Sequence, residues 1–402
     1  MPFVPIAAIA VGTIALLVSG RPALKIGMSQ AAGLSFGLCA IALAVALIPH
    51  EWRIWLGGHG AGDPLLTFFR GVGLTGLIFL AGTRFHPEDL PRVWRISFLA
   101  VALNALGGVV MVLLLTRLAS AEAGPAVLTA AATLGPSGWI VGELSFHLSK
   151  SAAKPIASAR IASASMIFFW VLVVCFFSIF QELAARQASR SAYIVVGSYE
   201  LLKWVLFFSA AYWIGSQLLG RTAVRAKEWP ISIRFLLFAF LAFGFALIAL
   251  GQLGAFVWAY LAGALFNRTK TGTELSDRRR PLSNALLVCF VFLPMFLQSH
   301  GRRISGVGII LVVVGIALLI KFGLMRSAAL WGGASPSDAN FIASATVASG
   351  ETAIMFLGFG IAKWLIDGPT YFAVLAFALL STLLGPVLLH FIDREKPMLT
   401  SS

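Results

Sequence analysis

A chain of 402 residues that is 59% hydrophobic and only 11% charged, with a mean hydropathy of +0.91, cannot clothe itself in the polar surface that water demands. The solvent for most of it is lipid. Its net charge of +14 does not argue for nucleic acid, because the basic residues are parcelled into short loops between apolar runs, where they set orientation and meet anionic head groups.

Taking apolar runs of about 20 residues as spans, the sequence predicts thirteen: 2–19, 30–49, 64–82, 95–117, 125–147, 157–181, 195–219, 232–250, 252–266, 283–298, 305–325, 339–362 and 368–392. Three are short or closely joined, so twelve also fits. The first begins at Pro2 without a basic stretch before it or a small-residue cleavage site after it, and is expected to stay as a helix. Small residues in "GLTGLIFLAG" (73–82) and "LGAFVWAYLAGALFN" (253–267) allow close helix approach and are expected to serve packing. Cys39, Cys175 and Cys289 all lie in apolar spans without metal-like spacing and read as free thiols. The longest connector, 267–281, is too short for a soluble domain, so the chain is one integral membrane unit.

Two spans are chemically odd. The fifth, "AVLTAAATLGPSGWIVGELSFHLS" (126–149), carries Gly135, Pro136, Ser137 and Gly138 at mid-depth. Pro136 cannot donate a backbone bond and its glycine neighbours let the chain leave helical geometry. The twelfth has Ser349, Gly350 and Glu351 near its centre. Backbone groups freed at such places must be satisfied by protein, water or a ligand. Interrupted helices at corresponding places in two halves point to an inverted-repeat transporter; simple packing kinks are the alternative.

Of the 30 Lys and Arg residues, twenty fall in odd-numbered loops and the C-terminal tail and seven in even-numbered loops. This places the N-terminus outside and the C-terminus in the cytoplasm, in a bacterial-type plasma (inner) membrane. Ionisable residues inside spans are few and costly: Glu143, Glu351 and Lys321 head them. His147 stands four residues after Glu143, on the same helix face. Arg70, near a span end, is expected to snorkel, and Glu200 and Lys203 to form a local surface pair. No phosphate-binding loop, HExxH, GxSxG or Cys/His cluster is present, so neither an enzyme nor a metal or cofactor is indicated.

Several segments in order are similar to the monovalent cation:proton antiporter-2 (sodium/hydrogen exchanger-like) superfamily. "GLIFLAGTRFHPEDLPRVWR" (76–95) resembles its third-helix segment, and "LGAFVWAYLAGALFNRT" and "FVFLPMFLQSHGRRI" resemble two later helices. "LLIKFG" (318–323) puts Lys321 where the family has a lysine, and "ASGETAIMFLGFGIAKWLIDGPTYFAVLAFALLSTLLGPVLL" resembles its final pair of helices. The resemblance implies an all-α polytopic fold of about thirteen helices, with crossed discontinuous helices. A core bundle (64–181 and 305–392) would be set against dimer and scaffold elements (2–49 and 195–298), in a homodimer working by elevator-like alternating access.

One feature of the family is missing. The helix after the first break should carry an aspartate that binds cation and proton in turn; Ser165 and Met166 fill that slot in "SASMIFFWVLVVCFF" (163–177). Met166 therefore marks a vacated position, and Ser165 can offer a cation a hydroxyl but cannot titrate. Ser349 likewise replaces a basic residue. Glu351 or Glu143 is the candidate replacement, and in the family-like fold Lys321 would pair with one of them. A fixed ion pair, a titrating glutamate and a substrate-anion contact by Lys321 all remain open. The expected function is monovalent cation (Na+ or K+)/proton antiport; the alternatives are the same fold carrying another solute or anion, or a non-transporting regulatory homologue.

Overall fold

The computed structural model describes residues 3–25, 30–47, 64–83, 85, 90–118, 123–135, 137, 160–162, 164–166, 168–169, 172, 195, 198–199, 202, 252–266, 284–297, 307–362, 366 and 368–394. Among these residues all regular structure is helical. The helices are α1 (Phe3–Lys25), α2 (Gln30–Leu47), α3 (Pro64–Gly82), α4 (Leu90–Leu118), α5 (Ala123–Leu134) and α6 (Gln252–Phe266), then α7 (Asn284–Leu297). After them come α8 (Val307–Trp331), α9 (Pro336–Thr346), α10 (Gly350–Ala362) and α11 (Gly368–Arg394). Residues 160–169 are helical where described.

Five stretches among the described residues, in α3, α4, α8, α9–α10 and α11, are long and apolar enough to cross a membrane. Their exposed faces carry large apolar side chains such as Phe98, Leu113, Leu311 and Leu319, which in water would be a liability and in lipid are the expected outer coat. The spans 64–82 and 252–266 coincide with α3 and α6. Others run further than their apolar windows. α1 continues through Arg21 and Lys25, and α8 continues past Arg326 to Trp331. Charge ends an apolar run without ending a helix: Arg326 instead donates from Nε to Asn340 Oδ1 at 2.8 Å, on the next helix. Lys321 consequently sits near the middle of α8.

α8 is the central strut of the cluster, packing against α4, α5, α9 and α11. α10 lies between α5 and α11, and α11 also touches α2. The two small-residue stretches pack on each other. A Cβ on Gly82 would collide with the carbonyl of Tyr260, and one on Gly263 with the carbonyl of Phe79, so α3 and α6 cross backbone to backbone. α11 contains Pro386, which cannot donate to the carbonyl four residues earlier, that of Thr382. Ser35 Oγ of α2 donates to that same oxygen at 2.9 Å, so a neighbouring helix supplies the missing bond.

Arg70 does not snorkel: it is buried, with Nη1 donating to Met295 Sδ of α7 at 3.9 Å and its guanidinium beside Gly358 of α10. Cys39 and Cys289 are free thiols, and Cys289 Sγ donates to Ile9 O at 3.4 Å; Cys175 lies outside the described residues.

The α3–α6 crossing is testable. Gly263→Val should lower the thermal unfolding midpoint in detergent, an overpacking cost of about 1–3 kcal/mol or more. Gly315→Ala, where a Cβ meets nothing within 4 Å, should be neutral or raise it slightly. Equal midpoints for the two variants would contradict the contact.

Candidate functional site

The site forms where two helices stop. α5 ends at Leu134; Gly135 N still donates to Ala131 O at 3.2 Å, and Gly135 itself stands beyond the last helical residue. Gly135 is obligatory in size, since a Cβ would strike Thr352 of α10 and come within 2.9 Å of Phe169. On the other side α9 opens with Pro336 after an N-cap, Ser335, whose side chain accepts from Asp338 N. It ends at Thr346; Val347 N donates to Ala343 O at 3.0 Å, and Ala348 and Ser349 are not helical. α10 then restarts, with Ala353 N donating to Ser349 O at 2.7 Å and Glu351 in its first turn. Every residue from Phe341 to Gly360 is buried.

Three helix ends thus converge, and their partial charges sort the charged groups. The C-terminal ends of α5 and α9 present carbonyls, which suit a cation, while the N-terminus of α10 suits an anion. Lys321 of α8 is wholly buried and donates from Nζ to Gly135 O at 2.7 Å, to Ala348 O at 3.2 Å and to Ser349 Oγ. Ser349 Oγ in turn donates to Gly135 O at 2.6 Å. Its backbone N–H is taken by Ser381 Oγ of α11 at 3.2 Å. Glu351, 1% exposed, accepts from Ser137 Oγ at 2.6 Å. Lys321 and Glu351 interact electrostatically. The first break stands between them, with Gly135 serving the lysine and Ser137 the glutamate.

Beside Lys321 lies a small cavity of about 10 Å3, near the least volume that accepts one water-sized guest. Lys321, Asn104, Ser137, Ser165 and Thr346 give it polar walls, and Val101, Ala162, Phe169 and Met325 close the rest. Ser165, from the slot where the family would place its aspartate, reaches the cavity, whereas Met166 is buried in the apolar core.

The structure thus brings Glu351, Lys321, Gly135, Ser137, Ser349 and Gly350 together at the two breaks, with Ser165 across the cavity. Glu143, Pro136, Gly138 and His147 lie outside the described residues. The sequence does not single out Asn104 or Thr346, because neither is ionisable or falls in a segment that reads as a break or as the aspartate slot; an asparagine in the middle of the apolar run "VALNALGG" is the available signal for the first. Among the described residues no cluster of His, Cys, Asp and Glu is suited to holding a metal ion.

The profile of the sodium/hydrogen exchanger transmembrane family matches residues 54–392. The Na+/H+–K+ antiporter GerN of Bacillus cereus is 27% identical over 344 residues, 81% of this chain and 83% of its own length. A Na+/H+ antiporter of Enterococcus hirae is 24% identical over 203 residues, 49% of this chain and 51% of that protein. Among solved structures, the sodium–proton antiporter MjNhaP1 of Methanocaldococcus jannaschii has the same fold, with a TM-score of 0.64 at 12% identity over 98% of this chain and 99% of that one.

The buried pair has a thermodynamic signature. Lys321→Met should cost about 3–5 kcal/mol, because Glu351 is left buried without its counter-charge. Adding Glu351→Gln to it should return part of that loss. A double-mutant cycle on thermal unfolding checks this; strictly additive effects would show that the two charges do not communicate.

Proposed function

We propose, for a chain that belongs to the sodium/hydrogen exchanger family and is a secondary transporter of the cation/proton antiport class, that exchange is centred on Lys321 and Glu351. The observation that carries this is the placing of Lys321: wholly buried, solvated at the meeting point of both breaks, and forming one wall of the cavity. A monovalent cation entering that cavity would stand against an ammonium. Two like unit charges about 4 Å apart repel by about 4 kcal/mol at the effective dielectric of buried protein sites, roughly a thousandfold in occupancy. The cation and the lysine proton therefore exclude one another.

Charge conservation gives the rest. With Lys321 protonated, the site holds one positive and one negative charge. With the proton gone and a cation in the cavity, it again holds one of each, and Glu351 stays ionised in both states. The pair thus does what one aspartate cannot do here, since Met166 occupies that position. Acid on either side loads the proton and ejects the cation; alkali does the reverse. Ser165 supplies an uncharged oxygen to the cavity, and Glu143 remains a second candidate acid.

The chain is an integral membrane protein. The bias of Lys and Arg towards alternate loops supports an N-terminus outside and a cytoplasmic C-terminus, in a bacterial-type inner membrane. We further propose a homodimer embedded in lipid, with a core of 64–181 and 305–392 and a scaffold of 2–49 and 195–298. In this arrangement the α3–α6 crossing is the joint between core and scaffold. The protein acts as a transporter and not as an enzyme.

In liposomes carrying a quenched pH-sensitive dye and an imposed pH gradient, added K+ or Na+ should relieve quenching. Glu351→Gln should abolish that response while leaving a folded, monodisperse protein. Wild-type protein that responds to no monovalent cation from acid to alkaline pH would end the antiport reading.

A further inference from the structure

The wall of the cavity beside Lys321 is chemically one-sided. Ser165 Oγ donates its only proton to Ile161 O at 2.7 Å, within its own helix. Thr346 Oγ1 donates to Ile342 O, also at 2.7 Å. Ser137 Oγ spends its proton on Glu351. Asn104, 6% exposed, turns its amide N–H towards Met325 Sδ at 3.4 Å, and its Oδ1 has no hydrogen-bond partner. A hydroxyl whose proton is committed elsewhere can offer only lone pairs. An unpartnered buried amide oxygen is costly, so its persistence calls for a guest. Three helical segments (α4, the 160–169 segment and α9) thus each contribute an oxygen-bearing side chain to the lining of one volume.

We infer that this cavity is a monovalent-cation cage built without a carboxylate in its wall, that Asn104 Oδ1 is one of its ligands, and that it takes K+ in preference to Na+. The inference rests on the exchange reading above, because the cage fills when the Lys321 proton has left. The donors an anion could meet there are Lys321 and the amide group of Asn104, one N–H of which faces Met325 Sδ. A water molecule could donate to two of these oxygens, whereas a bare cation is matched by all of them. The preference follows from field strength. Stripping water from Na+ is harder than from K+, and neutral hydroxyl and amide oxygens recover less of that cost than a carboxylate does. The volume also suits the larger ion, since a dehydrated K+ is about the size of a water molecule and the cavity is near the one-water limit. Loss of the aspartate at the Met166 position thus changes which ion is held, while the charge change is moved to Lys321.

The test is ion-dependent thermal stability of the full-length protein in detergent, at alkaline pH and constant ionic strength, with KCl, NaCl, LiCl or choline chloride. KCl should raise the unfolding midpoint most, NaCl and LiCl less, and choline not at all. Asn104→Ala should weaken the apparent K+ constant by at least about tenfold. Ser165→Ala should move it in the same direction, and Asn104→Asp should shift the preference towards Na+. Wild-type protein with no K+-specific stabilisation would mean a cavity holding water only, and would overturn the cage. So would an Asn104→Ala protein indistinguishable from wild type. The liposome assay separates the two readings: K+ stabilisation without exchange sinks antiport and keeps the cage, while exchange that is indifferent to Asn104→Ala and Ser165→Ala sinks the cage alone.

Discussion

An ammonium group with no exposed surface, in the middle of a helix as apolar as α8, has to be solvated by protein oxygens, and the ends of two interrupted helices supply them at Lys321. A continuous helix offers less, because each of its carbonyls already accepts from one of its own amides. The breaks at Gly135 and at Ala348–Ser349 release carbonyls at the depth where the lysine arrives. Once those ends are fixed, the rest of the site is constrained. α10 must begin beside them, its N-terminus favours the Glu351 carboxylate, and Ser137 closes the link between the two charges.

The same need to leave no backbone group unsatisfied shapes the scaffold. The carbonyl freed by Pro386 is taken by Ser35 of another helix, so a proline that would weaken an isolated helix here ties α2 to α11. Close approach is handled without polar groups at all: Gly82 and Gly263 let α3 and α6 touch along their backbones. The large side chains left on the outside are those lipid tolerates. Helix ends and glycine contacts, more than a hydrophobic drive, hold the bundle together.

Much of this could be read from residue order because breaks and buried charges are local signals. Gly135 and Ser137 beside Pro136, Ser349 and Gly350 before Glu351, and Lys321 in "LLIKFG" each stand out against apolar surroundings. What stayed hidden depends on rotation about helix axes. Asn104 and Thr346 carry no charge and look like minor interruptions of apolar runs; only packing turns them, with Ser165, towards one cavity. Arg70 misled for a related reason: its place near a span end suggested escape to the surface, while the packing of α7 and α10 encloses it. Helices outrun their apolar windows where charge, as at Lys25 and Arg326, ends the run without ending the helix.

The exclusion of a cation by the Lys321 proton is the claim on which the exchange mechanism stands, and it can be measured without transport. Weakly buffered, purified protein titrated with K+ in the presence of a pH indicator should release close to one proton per cation bound, and Lys321→Gln should release none. Cation binding with no proton release in the wild type, or with undiminished release in the variant, would contradict it.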